Sequence, residues 1–178
     1  MQTTMGKARN IILCGFMGTG KTTVGKLVAA RLGWQFADTD QVIEARCGKP
    51  ISAIFAEAGE AAFRQMERAL CQEIAASWRG YVIATGGGMV LDATNRELLL
   101  RSGCLICLNL SAEHLARRLA NKTDRPLLLN PPDGDLTAHI QRLLAARAEA
   151  YRAVPHQVDT TNLSPYAVSE AVLDIWRH

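Results

Sequence analysis

Short apolar segments alternate along the chain with longer segments whose apolar residues recur every three or four positions. The short segments predict β-strands, and the long ones predict amphipathic helices. We predict five strands, at Asn10–Phe16, Trp34–Asp40, Tyr81–Gly88, Cys104–Leu110 and His156–Thr161. The helical pattern covers Lys21–Leu32, a short turn at Ile51–Phe55, Ala61–Trp78, Thr94–Arg101, Ser111 to about Leu119, Leu136–Ala153 and Ser164–Arg177.

This alternation indicates a parallel sheet, because strands that are apolar throughout must be covered by helices on both faces. The predicted fold is therefore α/β, a three-layer α/β/α arrangement around a central five-stranded parallel sheet. No repeat or linker interrupts the 178 residues, so we expect a single domain over residues 1–178. Residues 121–135 are polar and rich in proline, and long segments of this kind are often functional, which suggests a mobile lid.

The composition narrows the class of protein. A hydrophobic fraction of 48% and a charged fraction of 21% are typical of a folded domain. The net charge is +3, and no run of five or six like charges is present, so the sequence gives no indication of nucleic-acid binding. The polar N-terminal residues do not resemble a signal peptide, and no apolar run approaches the roughly 18 residues of a membrane span. We therefore expect no membrane contact.

The five cysteines are Cys14, Cys47, Cys71, Cys104 and Cys107. An odd number of cysteines scattered among apolar neighbours indicates reduced thiols and a cytoplasmic protein. Cys104 and Cys107 form a C-x-x-C, but a strand would direct their side chains to opposite faces. Since no second pair completes a zinc site, we interpret them as core residues rather than as a metal or redox site.

Residues 15–22, GFMGTGKT, fit the phosphate-binding pattern G-x-x-x-x-G-K-S/T. They follow a predicted strand and open a predicted helix. This context favours a phosphate-binding loop over an accidental glycine-rich turn, which could occur anywhere in the chain. Glycines let backbone N–H groups approach phosphate oxygens, and the helix N-terminus adds a positive dipole. Lys21 can reach the β- and γ-phosphates, and the Thr22 hydroxyl can bind Mg²⁺. We predict a nucleoside triphosphate site at Gly18, Thr19, Gly20, Lys21, Thr22 and Thr23.

Two carboxylates, Asp38 and Asp40, end the second predicted strand. They share a face if the strand continues through them, and the carboxyl ends of parallel strands face the ligand crevice. One carboxylate can support Mg²⁺, and the other can orient a substrate hydroxyl for in-line attack. A polar strand end that forms a turn is the alternative. Because the third strand has no terminal aspartate, the metal role falls to Asp38.

An anion-binding arginine and a glycine run add to the candidate site. Arg64 and Glu67 are spaced to pair on one helix face, and a guanidinium held in this way can bind a carboxylate at two points. An ordinary surface ion pair is the alternative. Gly86–Gly88 follow an apolar strand and can let a ligand lie against bare backbone, or they can form a flexible turn.

Two further arginines are candidates for contacts with anions. Arg125 lies in the predicted lid, where it can close over a transferring phosphate and exclude water. Arg147 is a candidate second clamp for an anionic substrate. Arg142 and Arg152 lie on the same predicted helix, so a solvated basic face is the competing interpretation.

Taken together, these segments resemble the shikimate kinase family over essentially the whole chain. The matching pieces are GFMGTGKTTVGK, FADTD, ISAIFAEAGEAAFRQME, VIATGGG, RPLL and RAEAYR, in the family's order and at about its spacings. The family has a P-loop kinase fold of the nucleoside-monophosphate-kinase type. It transfers phosphate from ATP to the 3-hydroxyl of shikimate, on the route to chorismate and the aromatic amino acids.

The resemblance implies a role for each matching position. Lys21 and Thr22 would hold the phosphates and Mg²⁺, with Asp38 supporting the metal. Asp40 would bind the shikimate hydroxyls and act as the base. Arg125 would reach the γ-phosphate from the lid, so that Lys21, Asp40 and Arg125 are the implied catalytic residues.

The resemblance also implies the remaining contacts. Arg64 and Arg147 would bind the shikimate carboxylate, and Gly86, Gly87 and Gly88 would line the same pocket. Arg118 falls where the family has an arginine against the adenine. The family resemblance further suggests a monomer that acts on a small molecule.

Two other functions stay open at the level of sequence. Another small-metabolite P-loop kinase, such as gluconate kinase, would also need a carboxylate site, although the combination of DTD, FRxxE and GGG favours shikimate. A regulator that binds nucleotide without turnover is the second alternative. The presence of Lys21, Asp38, Asp40 and Arg125 argues against it.

Overall fold

The computed structural model describes residues 9–120 and 134–178. Its strands are β1 (Asn10–Cys14), β2 (Gln35–Asp38), β3 (Tyr81–Ala84), β4 (Gly103–Asn109) and β5 (His156–Asp159). They form one parallel sheet in the order β2-β3-β1-β4-β5. The helices are α1 (Lys21–Leu32), α2 (Thr39–Cys47), α3 (Ile51–Ser77), α4 (Ala93–Ser102), α5 (Ala112–Leu119), α6 (Leu136–Arg152) and α7 (Pro165–Arg177), with a 3₁₀ turn at Met89–Leu91. The predicted α/β fold with a central five-stranded parallel sheet is confirmed.

The sheet is buried on both faces by two apolar clusters. Ile11 and Leu13 of β1 face α1 and α7, while Ile12 and Cys14 face the opposite side, where α2–α6 pack. β4 follows the same alternation, with Cys104 packing on the first side and Cys107 on the second. The prediction that these two cysteines project to opposite faces is therefore confirmed, and all five cysteines are free thiols.

Cys107 has a close partner that the sequence did not indicate. It pairs in register with Cys14 on the adjacent strand β1, and both side chains are fully buried. The pKa of the Cys14 thiol is raised well above its ordinary value. The larger cause is a hydrogen bond with Cys107, and the second is burial of the thiol. Cys14 is therefore a protonated core residue at neutral pH.

The main difference from the sequence prediction lies after β2. The strand ends at Asp38, and the unpredicted helix α2 begins at Thr39. The Asp38 carboxylate caps this helix by accepting hydrogen bonds from the backbone N–H groups of Asp40 and Gln41. The expectation that Asp38 and Asp40 share a strand face is therefore wrong, because Asp40 lies in the first turn of α2.

Three other boundaries differ from the prediction, and each lies at or near a glycine. The predicted turn at Ile51–Phe55 and the predicted helix at Ala61–Trp78 are joined in α3, which bends at Gly59, where φ is 83° and ψ is 168°. β1 and β3 end before the glycine-containing loops that follow them, at Cys14 and Ala84, and not at Phe16 and Gly88 as predicted.

Most of the predicted lid, residues 121–133, lies outside the described residues. Asp135, at the end of that segment, is the N-cap of α6 and accepts a hydrogen bond from the Ala138 N–H. In the described parts of the chain, no helix has both the length and the apolar character needed to span a membrane.

The side chain of Asn10 joins three elements at the start of the sheet. It is fully buried, and its Nδ2 donates a hydrogen bond of 2.9 Å to the Trp78 carbonyl at the end of α3. Its Oδ1 accepts a hydrogen bond of 3.0 Å from the Tyr81 N–H at the start of β3. This buried amide, which binds backbone groups on both sides of the connection, fixes how α3 leads into β3.

We expect Asn10→Ala to lower the free energy of unfolding by about 1–2 kcal/mol, because the half-buried Tyr81 N–H loses its side-chain acceptor and the Trp78 carbonyl keeps only the hydrogen bond from Arg79. Urea denaturation of the purified variant measures this change. Gln35→Ala, at an exposed position on the edge strand β2, is the control and should stay within about 0.5 kcal/mol of wild type. An Asn10→Ala variant as stable as this control would contradict the assigned role of the side chain.

Candidate active site

The loop between β1 and α1 has the geometry of a phosphate-binding loop. Gly15, Gly18 and Gly20 have positive φ values of 130°, 84° and 99°, a conformation that favours glycine. The Lys21 ammonium group lies over the loop and donates hydrogen bonds of 2.8 Å to the Gly15 carbonyl and 2.9 Å to the Phe16 carbonyl. The loop therefore places a cation at the N-terminus of α1, where an anionic group is stabilised.

Thr19 stabilises this loop from within. Its side chain is buried, and its hydroxyl donates a hydrogen bond of 2.8 Å to the Phe16 carbonyl. The predicted contact of Thr19 with a nucleotide would therefore involve its backbone and not its hydroxyl.

A cavity of about 370 Å³ opens beside the loop and brings most of the predicted site residues together. It lies at the carboxyl ends of β1, β2 and β3, where a parallel sheet binds its ligands. The predicted residues that line it are Gly18, Gly20, Lys21, Thr22, Thr23, Asp38, Asp40, Gly86, Gly87 and Arg118. Met17, Thr85 and Leu119 line it as well.

The two predicted metal ligands are adjacent. The Thr22 hydroxyl donates a hydrogen bond of 3.1 Å to Oδ2 of Asp38, while Oδ1 of the same carboxylate caps α2. The cap fixes the carboxylate, so two oxygen donors lie side by side next to Lys21. Hydroxyl and carboxylate oxygens are the donor type that hard cations such as Mg²⁺ prefer.

Arg64 is held by two carboxylates on α3. Its Nη1 lies 2.7 Å from Oε2 of Glu67, which is only 1% exposed, and its Nη2 lies 2.9 Å from Oε1 of Glu60. Burial raises the pKa of Glu67 against the opposing effect of Arg64. Burial lowers the pKa of Arg64, but hydrogen bonds and charge from Glu67 and Glu60 outweigh this, so the net pKa is raised. An ordinary surface ion pair would not have a buried carboxylate, so the structure favours a fixed guanidinium.

Each residue of the glycine loop, which we define as Gly86–Gly88, contacts a different charged side chain. A methyl group at Gly86 would lie 2.5 Å from Oδ1 of Asp40, and one at Gly88 would lie 2.5 Å from Nη1 of Arg64. A methyl group at Gly87 would lie 3.3 Å from Nη1 of Arg147. None of the three glycines has a positive φ. A side chain at these positions would therefore displace a neighbouring charged group, although the backbone conformation itself does not demand glycine.

Arg147 is turned toward this loop, unlike the other arginines of α6. Its guanidinium lies 5.1 Å from the centre of the buried Phe16 ring, within cation–π distance. Arg142 and Arg152 are exposed. Arg142 and Arg152 therefore form a solvated basic surface, and Arg147 is not part of it.

The remaining predicted residues are Arg118 and Arg125. Arg118, on α5, is exposed, and its Nη1 donates a hydrogen bond of 3.0 Å to the Gly18 carbonyl. It therefore lies at the rim of the cavity beside the phosphate-binding loop. Arg125 lies outside the described residues.

Three polar residues at this site have no role that the sequence predicts. Thr85, between β3 and the glycine loop, is buried and lines the cavity. The Thr39 hydroxyl accepts a hydrogen bond from the Gly86 N–H, and the Tyr151 hydroxyl donates one to the Gly87 carbonyl. Thr39 lies between two candidate aspartates and Tyr151 lies one turn after Arg147, but sequence spacing alone does not show that either contacts the glycine loop.

The sequence matches the family model described as shikimate kinase over residues 17–176. A shikimate kinase of Pelotomaculum thermopropionicum is 46% identical over 156 residues, which cover 88% of each chain. A shikimate kinase of Thermodesulfovibrio yellowstonii is 43% identical over 167 residues, which cover 93% of each chain.

A solved structure is similar over nearly the same range. The shikimate kinase of Acinetobacter baumannii in complex with shikimate has a TM-score of 0.86 and 34% sequence identity to this chain. The match covers 94% of this chain and 92% of that one. The family model, the relatives and the solved structure agree with the geometry of the site, and this chain belongs to the shikimate kinase family.

Proposed function

We propose that this chain transfers the γ-phosphate of ATP to the 3-hydroxyl of shikimate, giving shikimate 3-phosphate and ADP. One observation carries the proposal: a carboxylate and two arginines, Asp40, Arg64 and Arg147, all contact the glycine loop beside the phosphate-binding loop. Asp40, Gly86 and Gly87 line the cavity, and the two guanidinium groups lie against the same three-residue loop. This combination provides an anion site for a carboxylate next to an acceptor for a hydroxyl proton.

The acceptor side of the reaction uses the three charged groups in different ways. Arg64 and Arg147 bind the shikimate carboxylate, since guanidinium groups form strong charge-assisted hydrogen bonds with carboxylates. Asp40 accepts a hydrogen bond from the reacting hydroxyl and takes its proton. The hydroxyl oxygen then bonds to the γ-phosphorus as the bond between that phosphorus and the β,γ-bridging oxygen breaks, and ADP leaves.

The nucleotide side uses the phosphate-binding loop. Backbone N–H groups of Gly18–Thr23 and the Lys21 ammonium group hold the phosphates of ATP. Thr22 and Asp38 fit Mg²⁺ as adjacent oxygen donors, so we assign the ion to them. When bound, Mg²⁺ would neutralise part of the phosphate charge. Arg118 contacts the adenine side of the nucleotide.

The remaining parts of the proposal concern the whole chain. Residues 1–178 form one functional unit in which residues 121–135 act as the lid and Arg125 reaches the γ-phosphate. The chain acts as a monomer on small molecules and needs neither nucleic acid nor a membrane. Five free thiols support a cytoplasmic location.

The two alternative functions, a gluconate kinase and a nucleotide-binding regulator, have less support. A gluconate kinase would also need a carboxylate site, but relatives more than 40% identical over most of the chain are shikimate kinases. A regulator without turnover has no use for a carboxylate beside the phosphate-binding loop, where Asp40 lies.

The proposal is tested by measuring ADP release from Mg·ATP with shikimate, quinate, gluconate or no acceptor. We expect the fastest turnover with shikimate and none without an acceptor. Quinate, with its saturated ring, and the open-chain gluconate should react more slowly, because they present the carboxylate and the hydroxyl at different relative positions. Turnover with gluconate but not with shikimate would contradict the proposal and identify gluconate as the acceptor. Nucleotide binding without turnover on any acceptor would contradict the assignment as a kinase.

Arg64→Ala should raise the KM for shikimate about 30-fold or more, since loss of one partner from a desolvated charge pair costs at least about 2 kcal/mol. The KM for ATP should stay close to that of wild type. Arg68→Ala is the matched control, because Arg68 lies four residues further along α3 and pairs with Asp92. Steady-state kinetics with each substrate varied in turn give both constants.

A second variant separates substrate binding from the buried ion pair. Arg64→Ala combined with Glu67→Gln leaves no unpaired buried charge, so its stability should recover relative to Arg64→Ala alone. Its KM for shikimate should stay high. Recovery of the KM together with stability would mean that the Arg64–Glu67 pair has only a structural role.

A further inference from the structure

The glycine loop is attached to the rest of the fold by two side-chain hydroxyls. The Gly86 N–H donates a hydrogen bond of 2.9 Å to Oγ1 of Thr39, and the Tyr151 hydroxyl donates one of 2.9 Å to the Gly87 carbonyl. Thr39 belongs to α2 and Tyr151 to α6, so the loop is held from two different elements.

Both hydroxyls belong to buried side chains. Thr39 is 0% exposed and Tyr151 is 6% exposed, and the Gly86 backbone is buried as well. Burial raises the pKa of Tyr151 to about 12, against the opposing effects of the Arg147 charge and of a hydrogen bond with the Arg147 side chain. The Tyr151 hydroxyl is therefore protonated and able to donate at neutral pH. In a buried environment such hydrogen bonds are not readily replaced by water.

The two residues also lie next to the charged groups of the acceptor pocket. Thr39 is the first residue of α2 and precedes Asp40, whose carboxylate contacts Gly86. Tyr151 lies one turn after Arg147, whose guanidinium contacts Gly87. Each hydroxyl therefore fixes the distance between one glycine and the helix that carries the charged side chain touching it.

We propose that Thr39 and Tyr151 are positioning residues for the acceptor, because through the glycine loop they set the relative positions of Asp40, Arg64 and Arg147. This inference rests on the proposed function. Arg64 is included because Gly88 continues the same short loop and contacts its guanidinium. A displaced loop would change the spacing between the carboxylate and the guanidinium groups, and binding to several fixed points is sensitive to such changes.

The test uses Thr39→Val and Tyr151→Phe, which remove the hydroxyls and keep most of the side-chain volume. Each should raise the KM and the calorimetric Kd for shikimate about tenfold, the change expected when one buried hydrogen bond is lost. The KM for ATP should change by less than about twofold, because the phosphate-binding loop is not altered. Thr39→Ser keeps the hydroxyl and should restore the acceptor constants.

Two matched controls remove hydroxyls elsewhere. Ser102→Ala deletes a buried hydroxyl that donates to the Leu99 carbonyl at the end of α4, and Tyr81→Phe deletes a phenol from the start of β3. Both should leave the acceptor constants at wild-type values. The double variant Thr39→Val/Tyr151→Phe should show an effect smaller than the product of the two single effects, since both act on one loop.

The outcomes separate this inference from the proposed function. If the wild-type chain does not turn over or bind shikimate, the proposed function fails and the inference fails with it. If wild type is active but both variants keep its shikimate constants, only the inference is overturned. Equal rises in the constants for ATP and shikimate would also overturn it, because they would indicate a general structural effect. If Thr39→Val does not fold, Tyr151→Phe decides the result alone.

Discussion

Close contact between charged side chains and bare backbone at Gly86–Gly88 is the constraint on which the candidate site depends. Two guanidinium groups and a carboxylate approach three consecutive residues so closely that a methyl group on any of them would crowd a charged group. The glycines thus set how near the three charges lie to one another. Because the opposite charges of Asp40 and the arginines share this small region, a substrate with both a carboxylate and a hydroxyl matches it.

The sheet order explains why this loop lies beside the phosphate-binding loop. β3 lies between β1 and β2, with Ala84 paired to Leu13 on one side and to Asp38 on the other. The segments that follow these three strands therefore emerge at the same edge of the sheet. The phosphate-binding loop follows β1, the capped helix with Asp40 follows β2, and the glycine loop follows β3. A parallel sheet brings together residues that are distant in sequence in this way.

The strands, most helices and the phosphate-binding loop could be predicted from sequence because their signals are local. Apolar runs indicate strands, and the glycine–lysine pattern carries its own mechanism. The sequence does not predict the start of α2, because the local pattern makes Asp38 a strand residue and gives no sign that it caps a helix. The hydrogen bonds of Thr39 and Tyr151 to the glycine loop, and the pairing of Cys14 with Cys107, were also missed. They depend on contacts between elements far apart in the chain, which no local pattern encodes.

The most direct test of the constraint is the affinity of Gly88→Ala for shikimate, measured by calorimetry. Gly88 has φ −94° and ψ −13°, which alanine adopts without strain, so the variant changes only the space beside Arg64. We predict that the methyl group displaces the guanidinium and raises the Kd for shikimate about tenfold, with the Kd for ATP unchanged. Wild-type affinity for shikimate in this variant would contradict the account.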